Sequence, residues 1–363
     1  MNKIKSILPL AVGVMIGVLW GILSDTLENH NIIKAVNIIW ITESVVLGFL
    51  IQIIVHESGH LVAGLISGYS FSSFRIGSLT LIRMNGKLQW KKYSIKGTAG
   101  QCLMIPPENK GYNYPVVLYN LGGIIMNLIV SCILLILMVI FHSMPLFIIA
   151  YIGFLAAIMN GIPMKTGGVA NDGMNVRCLK KDPLAMKAMD SQLRVNALLM
   201  KGIRLKEMPE EWFEVPENSD SSNINTGTMV YLKITRMLDG QEFLKAKETI
   251  QWALQNITGM LQLYQNELKC ELIFCNIMTD ELEEAKNTYE SDIAKYIQQT
   301  ASWPSRKRLM YAYELLVDKN EAKAKTELEM FEKRKKTYPY EADIKSEEEL
   351  IGLIQRKAEE SYV

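Results

Sequence analysis

The run at residues 39–67 leaves a chain few folds to choose from. It is apolar enough, and long enough, to cross a hydrocarbon layer of ~30 Å, which takes about 20 helical residues, yet it carries "HESGH" at 56–60. Backbone surrounded by lipid must satisfy its own hydrogen bonds, so such a run is helical. On a helix, residues i and i+4 share a face, so His56 and His60 project toward one point with Glu57 beside them. Ionisable groups at this depth are costly unless they face a cavity or a partner. Two imidazoles at this spacing with an adjacent carboxylate suit a zinc ion, with Glu57 placed to take a proton from water.

The rest of the chain divides by solvent. Over its 363 residues the hydrophobic share is 49%, but roughly the first 165 residues are strongly apolar and the chain after Asp182 is rich in Lys, Glu, Asp and Gln. Further candidate spans are residues 7–23, 116–141 and 146–162. The first also resembles a signal peptide, because Lys3 and Lys5 precede it, though no A-x-A-like site follows. Basic residues gather at 68–114 (Arg75, Arg83, Lys87, Lys91, Lys92, Lys96 and Lys110), whereas 25–38 has only Lys34. The 68–114 loop is therefore expected in the cytosol, and with four spans so are both termini and the tail. The expectation is a multi-pass protein of a bacterial cell membrane. A net charge of +1 gives no case for nucleic acid. Cys102, Cys132, Cys178, Cys270 and Cys275 match no zinc spacing and read as free thiols.

A catalytic zinc takes a third protein ligand and leaves one position to water. Asp172, in the Gly-rich, Pro-interrupted "MNGIPMKTGGVANDGMN" (159–175), is the expected ligand. A helix cap or a turn carboxylate is the alternative, since "NDG" favours turns. Glu108 in "PPENKG" is a rival, but its context is a solvent-facing turn. His30 and His142 read as solvated single residues.

Three elements, in order, are similar to the site-2 protease family of intramembrane zinc metalloproteases: H-E-x-x-H at His56 to His60, the small-residue "NLGGIIMN" at Asn120 to Asn127, and N-x-x-P at Asn160 to Pro163 followed by Asp172-Gly173. The resemblance implies zinc held by His56, His60 and Asp172, with Glu57 as base. It covers about residues 40–178. Eight residues separate Pro163 from Asp172, a longer spacer than the common form of the family, and the 68–114 loop is too short for a PDZ domain. Asn127 and Asn160 are weaker candidates to hold substrate or an oxyanion, the alternative for each being hydrogen bonding between helices.

Within 68–114, "LTLIRM" and "LQWKKYSI" alternate apolar and polar residues about Asn85-Gly86, a hairpin turn signal, which places a β-hairpin at about 69–100. Such a strand edge either holds an extended substrate or merely caps the membrane part. In the tail, "AKETI" at Ala246, "AKNTY" at Ala285 and "AKTEL" at Ala324 recur every 39 residues within charged helical stretches, which suggests tandem, tetratricopeptide-like helical hairpins open to a protein partner, or else a plain bundle. The predicted fold is mainly α: a polytopic membrane helix bundle with a small β-hairpin insertion (1–178), then a cytosolic all-α helical-repeat domain (179–363). The predicted function is an intramembrane zinc endopeptidase acting on membrane-spanning or membrane-tethered peptide. The alternative is a silent membrane receptor or scaffold binding a partner through the tail.

Overall fold

A computed structural model describes residues 31–84, 87–92, 99–108, 114–166, 169–338 and 340–361. The expected span at 7–23 and the Asn85-Gly86 turn lie outside them. Among the described residues three helical stretches are long and apolar enough to cross a membrane: Trp40–Ile66, within α1 (Asn31–Ile66), then α2 (Val116–Phe141) and α3 (Met144–Gly161). Their mean hydropathies are 1.6, 3.1 and 1.8. The side chains they leave exposed include Val46, Ile136 and Val139, a surface that suits lipid and not water.

The chain forms two compact units. Among the described residues the first comprises 31–52 and 127–156. Two of its buried polar residues, Gln52 and Asn127, bond across helices, as hydrocarbon favours. Gln52 Nε2 donates to the Ile149 carbonyl at 3.0 Å, and Asn127 Nδ2 donates to the Gln52 backbone and side-chain oxygens at 3.0 and 2.8 Å.

The second unit comprises the described residues within 53–126 and 157–361. Within it α1 and α2 approach backbone to backbone at Gly59 and Gly122, where a Cβ on Gly59 would lie 2.3 Å from the Gly122 carbonyl oxygen. After α1 come β1 (Ser70–Ile76), β2 (Leu79–Met84), β3 (Lys87–Lys92) and β4 (Gly100–Ile105), an antiparallel sheet in the order β3-β2-β1-β4. β2 and β3 are the hairpin read from the sequence, Met84 opposite Lys87 at its closed end. The insertion is larger than that hairpin: β1 and β4 extend it, with a bulge in β1 between Phe71 and Ser73. A two-stranded ribbon is marginal alone, and the added strands give this one a buried face. Cys102 and Met104 of β4 pack there with Tyr69, Tyr119 and Leu61.

After α3 a short hairpin, β5 (Lys165–Thr166) and β6 (Val169–Ala170), leads into α4 (Asp172–Lys181) and α5 (Pro183–Met200). α5 packs on β4. Its Asp190 accepts from the Tyr114 hydroxyl at 2.5 Å and from Arg194 Nε at 2.8 Å, while Arg194 Nη2 donates to the Pro107 carbonyl at 2.7 Å.

The remaining helices are α6 (Ile224–Asp239), α7 (Phe243–Asn256), α8 (Gln262–Met278), α9 (Leu282–Thr288), α10 (Ser291–Gln299), α11 (Pro304–Ala312), α12 (Glu321–Lys335) and α13 (Glu341–Ser361). Ala246, Ala285 and Ala324 are each at most 1% exposed, near the starts of α7, α9 and α12. Five residues before each stands Gln241, Asp280 or Lys319, with φ of 62°, 65° and 52°. Left-handed backbone costs a residue with a side chain roughly 1–2 kcal/mol, so three at one spacing mark a repeat of backbone geometry as well as of sequence. All five cysteines are unpaired, as read.

Candidate metal centre

His56 and His60 come from one face of α1, and Asp172 is the first residue of α4. Their converging atoms lie close together. His56 Nε2 is 3.1 Å and His60 Nε2 3.4 Å from Asp172 Oδ2, and the two nitrogens are 3.2 Å apart. Ligands bound about 2.0–2.1 Å from a tetrahedral zinc stand about 3.3 Å from one another, so the trio has the right size. The donor set agrees. His60 Nδ1 is 2.8 Å from the Tyr119 carbonyl oxygen, which can only accept, so the proton sits on Nδ1 and the Nε2 lone pair faces inward. A bare nitrogen facing a carboxylate oxygen leaves electron pairs that a cation reconciles. Among the described residues these three form the group able to hold a metal ion.

The spacer ahead of Asp172 returns on itself. Lys165 pairs with Ala170 and Thr166 with Val169. Asn171 N then donates to the Met164 carbonyl at 3.1 Å, and Met164 N donates to Asn171 Oδ1 at 3.1 Å. Asn171 also accepts from Met174 N at 3.0 Å as the N-cap of α4, and its Nδ2 donates to the Met159 and Ile162 carbonyls at 2.7 and 2.8 Å. The cap is thus Asn171, which leaves the Asp172 carboxylate to the histidines. Gly173 must be small, because a Cβ there would lie 2.1 Å from the Gly161 carbonyl oxygen.

Glu57 is 9% exposed, and the Cys102 N–H of β4 donates to it. The Cys102 carbonyl accepts from the Tyr119 hydroxyl at 2.9 Å, so β4 is fastened beside Glu57 at both backbone groups of one residue. Two glycines make room: a Cβ on Gly100 would lie 2.6 Å from Glu57 Oε1, and one on Gly123 would lie 2.5 Å from His56 Cε1.

The other candidates fall elsewhere. Glu108 is exposed after β4, where its charge acts on Arg194. The amide of Asn127 is engaged by Gln52, the helix bonding weighed as its alternative. Asn160 is half-buried in the last turn of α3, its carbonyl against Gly173. Sequence reasoning missed the Tyr119 carbonyl and the Cys102 backbone, groups that any residue type supplies, and it missed the Tyr119 hydroxyl as well. It missed Asn171 too, although "NDG" at a helix start is an N-cap pattern.

A family model for peptidase family M50 matches residues 44–279, roughly two thirds of the chain. No curated protein and no solved structure matches it. With three described helices apolar and long enough to cross a membrane, a two-histidine, one-aspartate cluster, and that match over roughly two thirds of its length, the chain belongs to peptidase family M50, the site-2 protease family of membrane metallopeptidases.

Proposed function

We propose that the protein is an intramembrane zinc endopeptidase that cuts membrane-embedded or membrane-tethered peptide, with His56, His60 and Asp172 as ligands and Glu57 as base. The observation that carries this reading is the 3.1–3.4 Å convergence of the three ligand atoms with Glu57 adjacent in sequence. A zinc ion held there supplies a Lewis acid that brings the pKa of water toward neutral. Tyr119 fixes the tautomer and orientation of His60. Glu57 takes the proton from the attacking water and delivers it to the leaving nitrogen.

Peptide bonds in a helix are shielded by their own hydrogen bonds, so substrate must be extended where it is cut. β4 is the backbone beside the base, and an extended substrate carbonyl that accepts from Cys102 N–H would take the place of Glu57 and release its carboxylate for proton transfer. The same reading places residues 1–178 as the membrane domain, both termini and the tail in the cytosol, and the tail as tetratricopeptide-like repeats that bind a protein partner. The concentration of basic residues at 68–114 supports the orientation, and the 39-residue recurrence of left-handed turns supports the repeats.

Glu57→Gln preserves size and the metal ligands but cannot accept a proton. Cleavage of a co-expressed single-span substrate should fall by a factor on the order of 10² or more, with zinc content by elemental analysis unchanged. Equal product from both forms would end the protease reading.

A further inference from the structure

Asp190 of α5 lies outside the cluster of His56, His60 and Asp172, yet three segments that build that cluster and its supports meet at it. Its side chain is buried, 4% exposed, and its carboxylate accepts from three donors. Tyr114, two residues before α2, donates its hydroxyl to Oδ1 at 2.5 Å, and Arg194 donates Nε to Oδ2 at 2.8 Å and Nη2 to Oδ1 at 3.1 Å. The same Nη2 donates to the carbonyl of Pro107, two residues beyond β4, at 2.7 Å. One carboxylate thus ties the exit of β4 to the entry of α2. It does so from α5, against which α4, the helix of Asp172, packs.

From this junction a column of rings runs back to the ligands. Tyr114 and Tyr69 meet edge to face with centroids 5.5 Å apart, Tyr69 stacks on Tyr119 at 4.8 Å, and Tyr119 meets the His60 ring at 5.7 Å. Met189 and Leu193 of α5 pack against the same buried group of Tyr69, Cys102, Met104 and Tyr119. Tyr119 serves both supports of the centre: its carbonyl holds His60 Nδ1, and its hydroxyl holds the carbonyl of Cys102, whose N–H bonds Glu57. Aromatic pairs prefer particular geometries, so where Tyr114 is held limits where Tyr69 and Tyr119 can sit.

We propose that Asp190 is a positioning residue of the metal centre: by holding Tyr114 and, through Arg194, Pro107, it keeps Tyr119 and β4 where His60 and Glu57 need them. The role rests on His56, His60 and Asp172 holding a metal. Taking a carboxylate and a guanidinium out of water costs about what their attraction returns, so the pair contributes geometry more than stability. A helix that composition assigns to the tail is then part of the scaffold of the centre.

The probe is Co2+, which takes the place of zinc and whose visible absorption reports ligand geometry, titrated into the full chain in detergent. Asp190→Asn keeps side-chain shape but loses the charge and an acceptor, and Tyr114→Phe removes one hydroxyl. Lys307→Met is the comparison, because it breaks the Lys307–Glu327 pair between α11 and α12. Asp190→Asn should weaken Co2+ binding about 10-fold and Tyr114→Phe about 3-fold, each with an altered absorption band, as for other residues that orient a ligand from behind. Lys307→Met should lower the melting temperature but keep the parent spectrum and affinity. Parent-like binding and spectrum in Asp190→Asn, or equal weakening in Lys307→Met, overturns the proposal; should Asp190→Asn not fold, the same outcomes in Tyr114→Phe decide it. A parent chain that binds no Co2+ ends the metal assignment and this role with it, whereas a binding parent with an indifferent Asp190→Asn ends this role alone.

Discussion

At Gly123 the room given to one imidazole decides whether the ligand set can form. A methyl group there would stand 2.5 Å from the His56 ring, and His56 cannot retreat without leaving Asp172. Gly123→Ala is therefore expected to lower bound zinc by at least about 10-fold, read by elemental analysis after dialysis, with helix content by circular dichroism retained. The pattern of His56, Glu57 and His60 was legible because chemistry dictates residue type and helical pitch dictates spacing. Asp172 was legible from its broken, Gly-rich surroundings. The supports around them were not: the Tyr119 carbonyl and the Cys102 N–H are backbone groups, and a glycine that makes room looks in sequence like any other glycine.

Among the elements, the β5–β6 hairpin accounts for the long spacer before Asp172. Because Met164 and Asn171 are themselves hydrogen-bonded partners, replacing residues 165–170 with Gly-Gly keeps the hairpin parity and simply shortens it. That variant should hold zinc and cleave substrate within about 3-fold of the parent, checked by metal analysis and by product on a gel; loss of zinc would mean the hairpin does more than return the chain. In α13, burial first and then Glu347 push the Asp343 carboxyl up from 3.8 to about 7. A raised carboxyl costs stability only when ionised, so the cost is absent below about pH 4, grows between pH 4 and 7, and is full above that. Asp343→Asn should accordingly raise the melting temperature by a few degrees at pH 8 and leave it unchanged at pH 4. Of the sheet, β2 and β3 were readable from Asn85-Gly86 and their alternation. β1 and β4 lacked a turn signal of that strength, and β4 is buried at Cys102, Leu103 and Met104 in succession, which removes the period of two.

For the whole chain, the placement of basic residues sets orientation in a membrane. Reporter fusions after Lys92 and after Val363 should read as cytoplasmic, and one within 25–38 as external, because the positive charge sits at 68–114; an external signal at Lys92 would reverse the proposed placement of the tail. The three matched turns at Gln241, Asp280 and Lys319 bear on how such a tail can change in length. Each turn presents the chain to the next helix in the same left-handed posture, so a splice from one turn to its counterpart joins like to like and every later helix stays in phase. Such splices would change the tail in whole 39-residue steps while the cluster at α1 and α4 stays as it is.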